Sequence, residues 1–160
     1  MKNYKITANQ IRKMRKSMNL TQEQLGALVG LEGSNLRKPV NRWEAGDRTP
    51  STSNIKKLID VFIAVKTKQT LDLVKEKNPG EIKIATFSSK EEFEEFFGDD
   101  IPFWLQGELI KSIYDTLIKQ GKKVSLLEIK KEAYLDWLAK KELPNTKESR
   151  ALFVSLNNSI

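Results

Sequence analysis

The chain has 160 residues, 39% of them hydrophobic and 31% charged, with a formal net charge of +7 and neither cysteine nor histidine. That composition suffices for one or two small cores, and it excludes thiol chemistry, disulfides, imidazole catalysis and the common Cys/His zinc sites. The charge is uneven: residues 1–75 hold 15 Lys/Arg against 6 Asp/Glu, a local excess of +9, and the remainder is slightly acidic. A basic first half followed by a near-neutral second half suggests a polyanion-binding module joined to a part with another task.

Residues 1–6 read as a loose basic lead. Thr7 can cap a helix from Ala8 to Met18 with Ile11, Met14 and Met18 on one stripe, and Asn19 suits a left-handed helix stop. A second helix is expected from Gln22 to Val29, because Thr21 and Gln24 have capping-box spacing and Leu25, Leu28 and Val29 form an apolar face. Gly30 ends it. The stretch Glu32-Gly33-Ser34-Asn35 reads as turn, and a third helix is expected from Leu36 to Ala45. That start keeps Pro39 in the first turn, where its missing amide has no intrahelical partner to lose. Val40 and Trp43 are spaced to face inward, which leaves Arg37, Lys38, Asn41 and Arg42 on the outer side. Ser51 or Thr52 opens a fourth helix carrying Ile55, Leu58, Ile59 and Phe62, and Thr67 starts a fifth over Lys68–Lys75.

Asn78-Pro79-Gly80 is strong punctuation. It predicts a first domain at 1–76, a linker at 77–80 and a second domain at 81–160. Glu81–Phe87 alternates as one short strand would; Ser89 opens an acidic helix with Phe93, Phe96 and Phe97, and a loop at Gly98-Asp99-Asp100 leads to a helix over Pro102–Gln120. The last of these carries Trp104, Leu105, Leu109, Ile113, Leu117 and Ile118 as candidate core. Ser125 and Glu128 have capping-box spacing ahead of a helix running to Lys140, and Thr146 begins a final helix with Leu152, Phe153 and Leu156. The acidic run Glu91, Glu92, Glu94 and Glu95 favours a helix start over a metal site, and the phenylalanines around it favour core over a ligand box. No metal or cofactor is expected, and no membrane segment.

The ordered set Ile11-Arg12…Arg15, Leu20-Thr21-Gln22-Glu23-Gln24-Leu25, Gly30, Arg42-Trp43-Glu44, Gly46 and Pro50-Ser51 resembles the Cro/CI-type helix-turn-helix repressors, the xenobiotic-response-element-like regulators of bacteria and phages. The resemblance covers residues 8–65. It implies a five-helix, lambda-repressor-like DNA-binding bundle. Residues 81–160 carry no recognised signature and read from their own pattern as a small, mostly helical dimerisation or effector-binding part with at most a short strand, so the protein is expected to be mainly α. The composition, with no histidine or cysteine, adds the expectation of a cytoplasmic, non-enzymatic protein. The resemblance further implies a sequence-specific repressor of phage or mobile-element type. Such a protein is dimeric on double-stranded operator DNA, and a protein inducer would act on the second half. By position, Gln22 resembles the brace against the DNA backbone, and Arg37, Lys38, Asn41 and Arg42 the exposed face of the recognition helix. Arg48 is a lesser phosphate contact. Arg15 and Glu44 correspond to a structural pair, and Leu25, Val40 and Trp43 to core. The chain departs from the pattern in having several more residues between Gly30 and Trp43. Either the turn is enlarged, with Ser34 and Asn35 becoming DNA contacts, or the helix is extended and bent around Pro39. The alternative function is a protein-binding, antitoxin-like or antirepressor adaptor that uses the fold as scaffold.

Overall fold

The computed structural model describes residues 4–78, 80–97 and 100–156. In chain order it comprises α1 (Ala8–Ser17), α2 (Gln22–Leu28), α3 (Arg37–Ala45), α4 (Thr52–Lys77), β1 (Ile82–Thr86), α5 (Lys90–Phe97), α6 (Phe103–Lys119), β2 (Val124–Glu128), α7 (Lys131–Lys141) and α8 (Lys147–Leu156). The protein is mainly helical with two short strands.

Local rules account for the first three helices. Thr7 and Thr21 both close capping boxes, with Gln10 and Gln24 returning a hydrogen bond to the cap amide. Asn19, Gly30 and Gly46 take left-handed backbone angles at φ 59°, 79° and 79° where α1, α2 and α3 end. Ile11, Met14, Met18, Leu25, Val29, Val40 and Trp43 are all buried, and Leu28 is not, at 52% exposed. The inward stripe of α2 is therefore narrower than the leucine spacing suggests. The expected loose lead is corrected at its described end. Tyr4 lies 5.0 Å, centroid to centroid, from Trp104, and Ile6 packs on the core.

The fourth and fifth helices are one. Helix α4 runs 26 residues from a Ser51 cap to Asn78, which adopts φ 44°. Between Thr52 and Lys77 there is no glycine or proline to break it. Thr67, expected to start a new helix, is buried inside it and shares a 3.0 Å hydrogen bond with Ser112 of α6. Along this shared helix one buried cluster extends from Ile11, Met14 and Leu25 through Leu58, Ile59 and Phe62 to Leu105, Leu109, Ile113 and Leu117. Pro79 of the expected linker, and Gly98 and Asp99 of the expected loop, lie outside the described residues.

The predicted strand exists, and its partner is the second correction. Ser125 and Glu128 do not cap a helix; they belong to β2, which pairs parallel with β1 in the register Ile82↔Val124 to Thr86↔Glu128. A parallel pair needs a crossover, which α5 and α6 supply. Ile82, Ile84 and Val124 pack on the first cluster, while Ala85, Phe87 and Leu127 pack on a second one around Phe96, Ile129, Tyr134, Leu138 and Phe153. Helix α7 accordingly starts later than expected, at Lys131. Ile118, expected in the core, is exposed at 46%, and Leu152 of the last helix at 44%. The side chains of Phe97 and Leu156 lie outside the described residues. The acidic run of α5 is tied down by Lys131, whose Nζ lies 3.1 Å from Glu91 Oε1 and 3.8 Å from Glu95 Oε2. Among the described residues no His/Cys/Asp/Glu group could hold a metal ion, and no helix is long and apolar enough to cross a membrane.

Candidate nucleic-acid interface

Helix α3 presents two opposite faces. Val40 (0% exposed) and Trp43 (4%) anchor it inward. Arg37, Lys38, Asn41 and Arg42 are all exposed on the other side. The helix starts at Arg37, so the additional residues after Gly30 enlarge the turn and Pro39 occupies the first helical turn. Asn35 Oδ1 accepts from the Lys38 amide at 3.2 Å and so serves as the side-chain cap that Leu36 cannot provide. Ser34 beside it is exposed.

A polar relay fixes the position of this face. Glu44, whose side chain is 5% exposed, accepts from Arg15 Nε, from Arg15 Nη2 at 3.2 Å and from Gln22 Nε2 at 2.8 Å. Arg15 Nη1 also donates to the Leu20 carbonyl at 2.8 Å. Gln22 Oε1 in turn accepts from Arg37 Nε at 3.2 Å. One carboxylate thus joins α1, α2 and α3, and its influence reaches an outward arginine through a single amide. Because Gln22 has both amide atoms engaged within the protein, its first role in the free protein is to orient Arg37.

Two hollows flank the exposed face. One, of about 540 Å³, is lined by Arg15, Thr21, Gln22, Glu23, Arg37 and Asn41. The other, of about 280 Å³, is lined by Arg12, Arg15, Gln22, Asn41, Glu44 and Ala45. Asn41 borders both. Arg12 was absent from the sequence-derived site; it is exposed and lies one helical turn before Arg15. That i,i+3 spacing is a signal the sequence already carried. Arg48 is exposed beyond the end of α3, and its amide donates to the Arg42 carbonyl at 3.3 Å.

Residues 11–65 match the family model described as helix-turn-helix. This segment is a helix-turn-helix domain. The family is one of DNA-binding transcription regulators of the xenobiotic-response-element type, and DNA binding is the function class the match gives to the segment. No curated protein matches the chain. The matched helix-turn-helix segment ends within α4, whose last turns lie beyond it.

Proposed function

We propose that the protein is a sequence-specific transcriptional repressor of the kind carried by phages and mobile elements, acting as a dimer on double-stranded operator DNA. Helix α3 enters the major groove. Arg37, Lys38 and Arg42 suit guanine acceptors there, and Asn41 suits the donor–acceptor edge of adenine. Ser34, Asn35 and Arg48 approach phosphates from the enlarged turn and from beyond the helix end, and Arg12 joins them across the hollow beside Asn41. Neutralised phosphates release counterions, and base contacts select the site. The observation that carries this reading is the exposure of all four long polar side chains on the side of α3 opposite Val40 and Trp43. An operator that overlaps a promoter excludes polymerase when occupied. The half beyond α4 then joins two copies and receives a protein inducer.

The test is selection of bound duplexes from a random pool, followed by footprinting. A dimer returns two inverted half-sites with centres roughly 34–36 Å apart, or a related helical spacing. Arg42→Ala weakens the selected site by about 1–3 kcal/mol and relaxes preference at one base pair, with the thermal midpoint unchanged. Failure of any sequence to enrich, with Arg42→Ala indistinguishable from the parent, would leave the adaptor reading in place of the repressor.

A further inference from the structure

Strand β1 has a partner on one side only. The amide of Ile82 donates to the Lys123 carbonyl at 2.8 Å, and the Thr86 carbonyl accepts from Ile129 at 2.8 Å. In a parallel ladder the groups that face the partner recur at every second residue, so Ile82, Ile84 and Thr86 are turned toward β2. The N–H and C=O groups of Lys83 and Ala85 are turned to the opposite edge, and the sheet has no further strand among the described residues. Against this edge lies an apolar groove of about 360 Å³. It is lined by Ile82 and Ile84, by Leu109, Ile110 and Ile113 of α6, and by Leu73 of α4, which is 53% exposed.

We propose that this edge and groove form the docking site for an extended peptide segment of a partner protein, with apolar and acidic side chains in alternation, that joins the sheet as a third strand. The main-chain groups of Lys83 and Ala85 supply the hydrogen bonds. Side chains alternate across a strand, so every second residue of the incoming segment falls on the Ile82/Ile84 side and enters the groove. The residues between fall on the side of Lys83. Lys77 and Lys83 are the charged residues of the lining, both cationic, and Lys83, on the side of those intervening positions, selects carboxylates there. The same two lysines oppose occupation by a second copy, because β1 against β1 about a two-fold axis gathers four like charges along one seam. The proposal rests on the β1–β2 half of the molecule and needs no DNA.

The experiment uses the full chain without DNA and a fluorescein-labelled synthetic peptide alternating valine and glutamate, with a valine–lysine peptide as control. Fluorescence polarisation is expected to show saturable binding of the glutamate peptide, at least tenfold tighter than the control. Hydrogen exchange at the Lys83 and Ala85 amides slows on binding, and the Ile84 amide, already bonded to β2, changes little. Lys83→Glu reverses the preference so that the lysine peptide binds better, which also shows that the variant is folded. Ala85→Pro, which removes an outward amide, abolishes binding of both peptides. Equal binding of the two peptides, an unmoved preference in Lys83→Glu, or no slowing at Lys83 and Ala85 would overturn the proposal. So would slowing that appears without peptide as protein concentration rises, since the occupant would then be a second copy. Because DNA is absent from every arm, a failed operator selection and a failed peptide titration are separate results.

Discussion

Glu44 is the carboxylate that ties the exposed face of α3 to α1 and α2. Its bonds to Arg15 and Gln22, and that of Gln22 to Arg37, connect a nearly buried charge pair to the outer surface. Arg15 is itself only 13% exposed, so removing its counterion leaves a guanidinium largely out of water. Glu44→Ala is expected to lower the unfolding free energy by about 3 kcal/mol, measured by urea titration at neutral pH. Operator affinity should fall further than the folded fraction explains, because Gln22 no longer holds Arg37. The Arg15–Glu44 pair was implied by the family resemblance, and the capping boxes and left-handed stops followed from residue type. The double engagement of Gln22 was not legible. It depends on how α2 crosses α3, and no spacing within either helix encodes that.

At the scale of elements, Gly26 of α2 lies against Leu36, the residue that precedes α3. A Cβ built there would lie 2.7 Å from the Leu36 carbonyl oxygen, which is main chain and has no rotamer through which to withdraw. Alanine gains up to about 1 kcal/mol of helix propensity over glycine. Overpacking against a fixed carbonyl costs about 1–3 kcal/mol, so the crowding prevails. Gly26→Ala should therefore lower the thermal midpoint and shift the amide signals of Arg37 and Lys38, which follow the displaced residue. The sequence marks this glycine only as an oddity inside a helix. Helices with strong local signals were readable for the same reason that β2 was not. Ser125 and Glu128 have the spacing of a cap, and only the unmet need of β1 for a neighbour about forty residues earlier turns that segment into a strand. The expected break before Lys68 fails differently: threonine is a reasonable cap, but a buried bond to Ser112 satisfies its hydroxyl within a continuing helix.

Over the whole molecule, the segment that matches the family and the half that does not are connected by buried side chains and by individual polar contacts. Lys13 Nζ lies 2.8 Å from Asp100 Oδ1, and Lys66 Nζ donates to the Ser17 carbonyl at 3.4 Å. Burial, with the Lys147 ammonium of α8 as the lesser cause, holds the Lys66 pKa below its usual 10.5. Between that lowered value and 10.5 the unfolded chain binds more protons at this site, so its contribution to stability rises with pH across that window. Below the window the cost of keeping a half-buried charge is fully present. In an NMR titration of ¹³C-methylated lysines, the Lys66 signal should titrate below 10.5. Lys147→Ala should move it upward but not to the reference value, because burial is the larger cause. Helix α4 has a mechanical consequence at this scale. At 26 residues it is a strut roughly 39 Å long without a hinge. Where two copies meet through their distal halves, the orientation of each reading head is therefore geared to a single axle. One residue inserted near its middle would turn one end by about 100° against the other, and four would bring it nearly full circle. Because α4 is packed along its length into one buried cluster with α1 and α6, the first insertion should lower the thermal midpoint and operator binding together, and the second should restore part of both.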